Sequence, residues 1–284
     1  MTPSALPSGI AAANDSTSPP FGAFAPTRAQ AAVIAAAHRS RLKRGAFRPI
    51  LSRLVNRLRA GPVDVLYQGA AFRFHHQASA TERGALFNPD YNLEELDFLR
   101  SHTPSGGTFI DVGANVGTYA MVLARHVGPS GKVIAIEPHP VTHARLAFNR
   151  SASAFTQLHL VAAAAGPSDG DLMIETDGEN LGASHVVSGE PRAGTISVPS
   201  FRLQRILQDA GVDHVDALKI DVEGFEDRVL TGFFRDASQS LWPRALVIEH
   251  LSRNEWLEDC IFDMRNRGYA EAGKTRSNTM LVRG

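Results

Sequence analysis

The sequence predicts an α/β protein built on a mostly parallel sheet, preceded by N-terminal helices and closed by a C-terminal antiparallel hairpin. After Gly107, helical patterns alternate with short apolar runs that end in turns, namely TFIDVG, KVIAIEP, LHLVAAAAG, DALKIDV and ALVIEHL. Strands spaced by helices indicate a parallel sheet covered on both faces, because parallel neighbours need crossover connections. The last segment, from Trp256, predicts a helix and then two short strands around residues 274–277, which form the closing hairpin.

Composition and periodicity divide the chain into four regions. Residues 1–27 are rich in Pro, Ser, Ala and Gly without an apolar period, which predicts a disordered tail. Residues 28–60 are a basic helical leader. Residues 61–106 hold a strand-like stretch, VDVLYQGAAFRFHH, and a helical pattern over residues 92–101, and we interpret them as a flanking or capping segment. Residues 107–284 carry the alternating pattern and form the main domain.

The leader contains two helical patterns, over residues 27–44 and 49–60. The second pattern has one apolar face, made of Ile50, Leu51, Leu54, Val55 and Leu58. Such a helix either lies on an anionic membrane surface or packs its apolar face on the domain and leaves its arginines in water. The width of the stripe is typical of any surface helix, which favours packing on the domain.

Composition excludes several classes of protein. The 284 residues, 43% of them hydrophobic, are enough to bury a large core, which excludes a disordered chain. No window approaches eighteen apolar residues, and the single cysteine, Cys260, cannot form an intramolecular disulfide, so we expect a cytoplasmic enzyme. Residues 1–60 hold nine of the 29 basic residues and one of the 29 acidic ones, which leaves 20 basic and 28 acidic residues beyond. The acidic body argues against a nucleic-acid partner.

A glycine-rich turn follows the first strand of the main domain, where parallel sheets place their ligands. Its sequence is Asp111-Val-Gly113-Ala-Asn115-Val-Gly117. Glycine and asparagine tolerate the left-handed backbone of a tight turn and let the backbone approach a ligand. A nicotinamide fingerprint would need glycines at positions 113, 115 and 118, and Thr118 and Asn115 therefore disfavour a pyrophosphate site.

The second strand ends in Glu137-Pro138, twenty residues past Gly117. A glutamate here can accept both hydroxyl protons of an adenosine ribose. With Asp111 nearby, two carboxylates suit a ligand that carries a sulfonium and an ammonium better than one that carries phosphates. The alternative is that the glycines serve only the turn and that Glu137 caps the next helix.

The fourth strand ends in the motif Lys219-Ile-Asp221-Val-Glu223-Gly-Phe-Glu226. Asp221 faces the ligand crevice, where it can orient a cofactor amine, ligate a metal or accept a proton. Lys219, Asp221 and Glu223 share one face of an extended strand. The alternative is a structural Lys219–Asp221 ion pair, with Glu226 as an N-terminal acid of the next helix.

Three histidines lie near predicted strand ends or loops, namely His139, His185 and His250. Histidine is the usual base near neutral pH, although an isolated one is more often structural. Asp221, Glu249 and His250 together could form a site for Mg²⁺ or Mn²⁺, which no spacing demands. Residues 175–200, rich in Gly, Ser and Asn, are either an acceptor-binding flap or an ordinary surface hairpin.

The order of these motifs resembles the FkbM family of S-adenosylmethionine-dependent methyltransferases. The resemblance covers residues 85–250 and rests on DVGANVG, Glu137-Pro138, Asn180-Leu-Gly182 and KIDVEGFE. It implies a Rossmann-like, seven-stranded class I methyltransferase sheet. It also implies methyl transfer from S-adenosylmethionine, most often to a hydroxyl of a sugar or secondary metabolite.

The resemblance also implies roles for individual residues. The cofactor-binding positions it implies are Asp111, Gly113, Asn115, Gly117 and Glu137, and it places Asp221 and Glu223 in the fourth-strand motif. From its place at the strand end, we add Asp221 to the cofactor-binding residues. As catalytic candidates we take Asp221, His185 and His250, from their places in the chain. Two other hypotheses stay open, an NAD-dependent oxidoreductase and a non-catalytic binding module that sits on a membrane through residues 28–60.

Overall fold

The computed structural model describes residues 18–176, 184–187 and 194–284. The helices of these segments are α1 Arg28–His38, α2 Arg48–Leu58, α3 Ala80–Phe87, α4 Leu93–His102, α5 Ala120–Val127, α6 Pro140–Ser153, α7 Leu203–Asp209, α8 Glu226–Asp236 and α9 Cys260–Asn266. The strands are β1 Val63–Tyr67, β2 Ala70–Phe74, β3 Thr108–Val112, β4 Lys132–Ile136, β5 Leu158–Val161, β6 Ala164–Gly166, β7 Gly170–Thr176, β8 Ser184–Val187, β9 Thr195–Arg202, β10 Ala217–Ile220, β11 Ala245–Glu249, β12 Tyr269–Lys274 and β13 Asn278–Arg283.

The main sheet has seven strands in the order β12-β13-β11-β10-β3-β4-β5. The five strands from β11 to β5 pair in parallel, whereas β13 runs antiparallel to β11 and pairs with β12 as a hairpin. The predicted mostly parallel sheet with its C-terminal antiparallel hairpin is therefore confirmed. Strand order reverses between β3 and β10, so the crevice of this sheet lies at the carboxyl ends of these two strands.

The central strands are buried on both faces. Successive residues point to opposite sides, so Phe109 packs into one apolar cluster and Ile110 and Val112 pack into the other. Helices α2, α4 and α5 cover the first face, and α7, α8 and α9 cover the second. A strand buried on both faces needs a continuous apolar run, which is why TFIDV and ALVIE show no alternation in the sequence.

The N-terminal region packs on the first face of the sheet and includes part of the segment expected to be a disordered tail. The Asp64 carboxylate accepts the backbone N–H groups of Gly22 and Phe24 at 2.8 and 3.0 Å. Arg73 forms a buried ion pair with Asp64 and donates to the carbonyls of Pro19 and Pro20. The expectation of disorder is wrong from residue 18 onward, because this pair satisfies the polar groups of the segment. Residues 1–17 lie outside the described residues.

Helix α2 divides its apolar residues between two environments. Leu51 and Val55 are buried against the domain, whereas Ile50, Leu54 and Leu58 are exposed. The single apolar face predicted from the sequence is therefore only partly covered by the protein. No helix in the described part of the chain has the length and apolarity of a membrane span.

Strands β6, β9, β7 and β8 form a smaller sheet beside the main one. It contains residues 175–176, 184–187 and 195–200 of the segment predicted as a flap. Residues 177–183 and 188–193 lie outside the described residues, and with them the Asn180-Leu-Gly182 motif.

Candidate active site

The turn after β3 has a backbone that requires its glycines. Gly113, Asn115 and Gly117 all have positive φ angles, of 74°, 51° and 93°. The N–H groups of Gly113 and Ala114 both donate to the Ile136 carbonyl at the end of β4. A Cβ added at Gly113 would lie 1.8 Å from the backbone oxygen of Asp221. The turn therefore packs directly against the chain that leaves β10, and no side chain fits between them.

Glu137 anchors this turn to the end of β4. One carboxylate oxygen accepts the N–H of Asn115 at 2.9 Å and the other accepts the N–H of His139 at 2.9 Å. The side chain is nearly buried, and burial raises its pKa to about 7. Each carboxylate oxygen has a further lone-pair site, and Glu137 lines the cavity described below. The capping alternative is wrong, because the N-cap of α6 is His139, whose ring accepts the N–H of Thr142. Glu137 holds the turn and keeps lone pairs for a ligand.

Asp111 lies beneath the turn and does not line the cavity. Its carboxylate accepts the N–H of Ala120 at 2.9 Å and faces the Lys219 ammonium at 3.4 Å. Burial raises the pKa of Asp111 to about 6. The structure thus places this predicted cofactor residue in a supporting position, where it holds the start of α5 and the Lys219 side chain.

Lys219 connects β10 to the glycine turn. Its ammonium donates to the carbonyl of Gly113 at 2.8 Å and lies 3.6 Å from the Asp221 carboxylate. Burial disfavours the charged form, but the Asp111 and Asp221 carboxylates outweigh burial and raise the pKa of Lys219. The predicted Lys219–Asp221 pair is present, and it is part of a larger network.

Asp221 and Glu223 follow β10 and both line the cavity. The Asp221 side chain is 38% exposed, so it is available to a ligand. Glu223 has a φ angle of 52°, which is uncommon for a residue other than glycine and costs backbone energy. Burial, and then the nearby Asp221 charge, raise the pKa of Glu223 to about 7. The ring of His185, which is exposed on β8, has its Nδ1 3.3 Å from the Glu223 carbonyl.

The predicted metal ligands are only partly brought together. Asp221, Glu226 and Glu249 have carboxylate oxygens within 4.8 Å of one another, whereas the ring of His250 lies against the Thr279 hydroxyl at 3.0 Å. His250 also does not line the cavity. The expected group of Asp221, Glu249 and His250 is therefore not formed.

The protein's own donors occupy much of this acidic group. Glu226 accepts N–H groups from Val222 and Gly224 and the indole N–H of Trp256. One oxygen of Glu249 accepts the N–H of Leu251, while the other is buried without a hydrogen-bond partner. Burial raises the pKa of Glu249 to about 7. Hydrogen bonds from the protein thus occupy Glu226 and one oxygen of Glu249. The three carboxylates therefore do not form a dedicated cation site, and the function we propose uses no metal.

These residues enclose a cavity of about 290 Å³ at the carboxyl ends of β3, β4, β10 and β11. One wall is apolar and is made of Ile136, Pro138, Ala164, Ala165 and Val186. Other lining residues, which we call the cavity rim, come from elements outside the motifs, with Thr81, Tyr91 and Asn92 from the capping segment and Ser277 and Asn278 from the hairpin. Sequence reasoning did not assign these rim residues to the site, since no local pattern connects them to the strand ends.

The cavity is strongly acidic. Glu137, Asp221, Glu223 and Glu249 line it, and Lys219 is the only cation among the described lining residues. The Lys219 charge is already balanced by Asp111 and Asp221. Such a surface repels phosphates and attracts a cation, which argues against the pyrophosphate of a nicotinamide cofactor.

The chain resembles known methyltransferases. It matches the methyltransferase FkbM domain over residues 111–270. It is 30% identical over 122 residues to the hexuronic acid methyltransferase AglP of Haloferax volcanii, which covers 43% of this chain and 48% of that protein. It is also 26% identical over 162 residues to the methyltransferase sdnD of Sordaria araneosa, covering 46% of this chain and 62% of that protein. The chain thus spans about half to three fifths of the length of these relatives.

Solved structures of low sequence identity also align with the chain. A precorrin-6y C5,15-methyltransferase from Geobacter metallireducens aligns with a TM-score of 0.42 and 12% identity, covering 69% of this chain and 90% of that one. A SAM-dependent O-methyltransferase from Thermotoga maritima aligns with a TM-score of 0.40 and 14% identity, covering 67% of this chain and 64% of that one.

Proposed function

Because the chain belongs to the FkbM methyltransferase family, we propose that it transfers a methyl group from S-adenosylmethionine to a hydroxyl of a small molecule, with a sugar as the first candidate. One observation carries the cofactor assignment: the Glu137 carboxylate holds the Asn115 N–H of the glycine turn and still lines the cavity. This arrangement supplies a carboxylate for ribose hydroxyls beside a backbone that a ligand can approach closely.

The residues present fit S-adenosylmethionine. The turn presents Gly113, Ala114 and Asn115 to the cavity, and the apolar lining at Ile136 and Ala164 suits a flat ring. The exposed Asp221 carboxylate is placed to accept from an ammonium group, since the neighbouring Lys219 lies deeper in the protein. When bound, the cofactor supplies an activated methyl group, and the acidic lining favours its positive charge.

A base is required if the acceptor is a hydroxyl. Glu223 lines the cavity, and its pKa of about 7 is matched to proton abstraction near neutral pH. We assign proton acceptance to Glu223 and cofactor binding to Asp221. His185, a catalytic candidate from its sequence position, contacts the Glu223 carbonyl but is not among the described residues that line the cavity, and it receives no role. His250, a catalytic candidate from its sequence position, contacts Thr279 outside the cavity and receives no role.

The acidic lining also bears on the type of acceptor. The Glu223 and Glu249 carboxylates would repel an anionic acceptor group, whereas a neutral hydroxyl is not repelled and can give its proton to Glu223. The relative AglP is named for a hexuronic acid, a sugar that carries both hydroxyls and a carboxylate. That name supports a saccharide acceptor for this chain, whereas the choice of a hydroxyl rests on the acidic lining alone. The cavity rim formed by Tyr91 and Asn278 is where such an acceptor would meet the protein.

Two measurements test the proposal. Calorimetry of the purified protein with S-adenosylhomocysteine should show one binding site per chain. Incubation with methyl-labelled S-adenosylmethionine and a panel of sugars and phenols should then place label on an oxygen, as located by mass spectrometry. Well-folded protein that binds no S-adenosylhomocysteine would refute the cofactor assignment, and label found only on nitrogen would refute the hydroxyl assignment.

A further inference from the structure

Helix α2 carries an exposed apolar stripe on its outer side, which we call the α2 stripe. It consists of Phe47, Ile50, Leu54 and Leu58, whose exposed fractions are 41%, 62%, 42% and 44%. Their spacing of three and four residues puts them on one side of the helix. Leu51 and Val55, on the inward side of α2, are buried in the core. The residues of the α2 stripe therefore do not belong to the core. Including Leu42, five of the eleven exposed large hydrophobic residues of the described segments lie within residues 42–58.

Cations surround the α2 stripe without compensating acids. The sequence has no Asp or Glu between Asp15 and Asp64, while residues 28–59 hold nine Arg or Lys. Six of these arginines are exposed, and in the described structure none of the six forms an ion pair. Arg28 begins α1, and the other five lie within residues 39–58; they are Arg39, Arg41, Arg44, Arg53 and Arg57. Arg53 and Arg57 lie one turn apart beside Ile50 and Leu54. An apolar stripe with arginines along its edge is the pattern of a helix that lies in a membrane interface.

The positive charge of the exposed arginines indicates which kind of partner covers the α2 stripe. Two copies of this surface would bring their unpaired arginines together, so self-association is disfavoured. An anionic lipid surface complements the arginines and accepts the apolar side chains between its headgroups. Arginine is suited to this position because its guanidinium reaches phosphate while its stem stays in apolar surroundings.

The α2 stripe adjoins the rim of the candidate active site. The guanidinium of Arg48, at the start of α2, lies 5.4 Å from the ring centroid of Tyr91, a residue that lines the cavity. Lys43 forms an ion pair with Asp90, the neighbour of Tyr91. The same short stretch of chain therefore touches both the exposed stripe and the cavity rim.

We propose that residues 39–58 dock this protein on an anionic membrane surface. The α2 stripe enters the headgroup region, and Arg39, Arg41, Arg44, Arg53 and Arg57 contact lipid phosphates. Docking leaves the fold unchanged, because the inserted side chains are those that the core does not use.

Co-sedimentation of the full chain with lipid vesicles tests this proposal. The protein should sediment with vesicles that contain phosphatidylglycerol and stay in solution with pure phosphatidylcholine. We expect two double variants to bind anionic vesicles at least about 10-fold more weakly than the wild type. The first combines Ile50→Ser with Leu54→Ser, and the second combines Arg53→Glu with Arg57→Glu. Leu257→Ser is the matched control, because Leu257 is 78% exposed and lies far along the chain from α2. It should bind like the wild type, and added salt should weaken wild-type binding.

A second variant reports insertion directly. Leu54→Trp should show a blue shift of its fluorescence with anionic vesicles and none with neutral ones. All variants should keep the wild-type melting temperature and S-adenosylhomocysteine affinity, which separates loss of docking from loss of fold or of cofactor binding. The proposal would be overturned if the wild type did not bind anionic vesicles, or if both double variants bound them as strongly as the wild type does. So would a concentration-dependent dimer in light scattering that Ile50→Ser abolishes, because the stripe would then be covered by a second copy.

Discussion

The Glu137 carboxylate accepts the backbone N–H of Asn115 at 2.9 Å, which joins the end of β4 to the turn after β3. This contact fixes the two strand ends of the proposed cofactor site relative to each other. It also explains why a buried glutamate is tolerated, since both of its oxygens receive backbone donors.

Loss of the Glu137 carboxylate should weaken cofactor binding. We expect Glu137→Ala to raise the dissociation constant for S-adenosylhomocysteine about 10- to 100-fold, the usual cost of losing hydrogen bonds to a charged group. Calorimetry measures this, with circular dichroism to confirm the fold. Glu271→Ala, an exposed acid on edge strand β12, is the control and should bind as the wild type does. Equal affinity of Glu137→Ala and Glu271→Ala would contradict the site.

A methyl group at Gly113 should disrupt the turn. Gly113→Ala places a Cβ 1.8 Å from the Asp221 oxygen, and we expect it to lower the free energy of unfolding by roughly 2–4 kcal/mol. Gly211→Ala is the matched control. It has a positive φ of 61° but meets only the flexible end of Lys132 at 3.9 Å, so it should cost roughly 1–2 kcal/mol. Urea unfolding compares the two, and equal losses would show that the close approach is not the cause.

Burial of Glu249 should make stability depend on pH. Its pKa is about 7 in the folded protein and about 4.5 when exposed, so the unfolded chain loses this proton first as the pH rises. The folded state then binds more protons, and the free energy of unfolding falls between about pH 4.5 and 7. Glu249→Gln removes the part of this fall that Glu249 contributes, whereas Glu137 and Glu223, whose pKa values are also about 7, keep theirs. Relative to the variant, the wild type should lose about 1–3 kcal/mol across this range in urea titrations. Glu271→Gln should not reproduce the effect.

Proton acceptance by Glu223 should appear in the pH dependence of turnover. With a pKa of about 7, Glu223 is ionised above that pH, and the rate of methyl transfer should rise as the pH passes through it. Glu223→Gln should lower kcat about 10²- to 10⁴-fold, abolish that rise and leave S-adenosylhomocysteine affinity nearly unchanged. His250→Ala should have little effect, since the ring contacts Thr279 and not the cavity. The opposite result, a large loss in His250→Ala alone, would move the base to His250.

The sheet and the glycine turn can be predicted because each depends on the types of residues that follow one another directly in the sequence. Buried parallel strands require apolar runs, and TFIDV and ALKI supply them at the centre of the sheet. The carboxyl ends of such strands meet at one edge, so the residues after β3, β4 and β10 had to be neighbours. That rule predicts Gly113, Glu137 and Asp221 at one edge of the sheet, and all three line the same cavity.

Other features could not be read from local sequence. Tyr91 and Asn278 reach the cavity only because the capping segment and the closing hairpin fold over the strand ends. His250 follows its strand as a site residue should, yet its ring lies against Thr279 of the neighbouring strand. The composition of residues 18–24 predicts disorder, yet their backbone forms hydrogen bonds with Asp64 and Arg73, which lie far away in the sequence.

The amino-acid sequence by itself determined the strand and helix alternation, the turn that needs glycine and the acids that follow each strand, because these depend on neighbours in the chain. Only the tertiary structure decided which of those acids face the cavity, which are buried beneath it as Asp111 is, and which half of α2 stays uncovered. The physical reason is that burial and charge pairing depend on contacts between residues far apart in sequence, and periodicity does not encode these contacts.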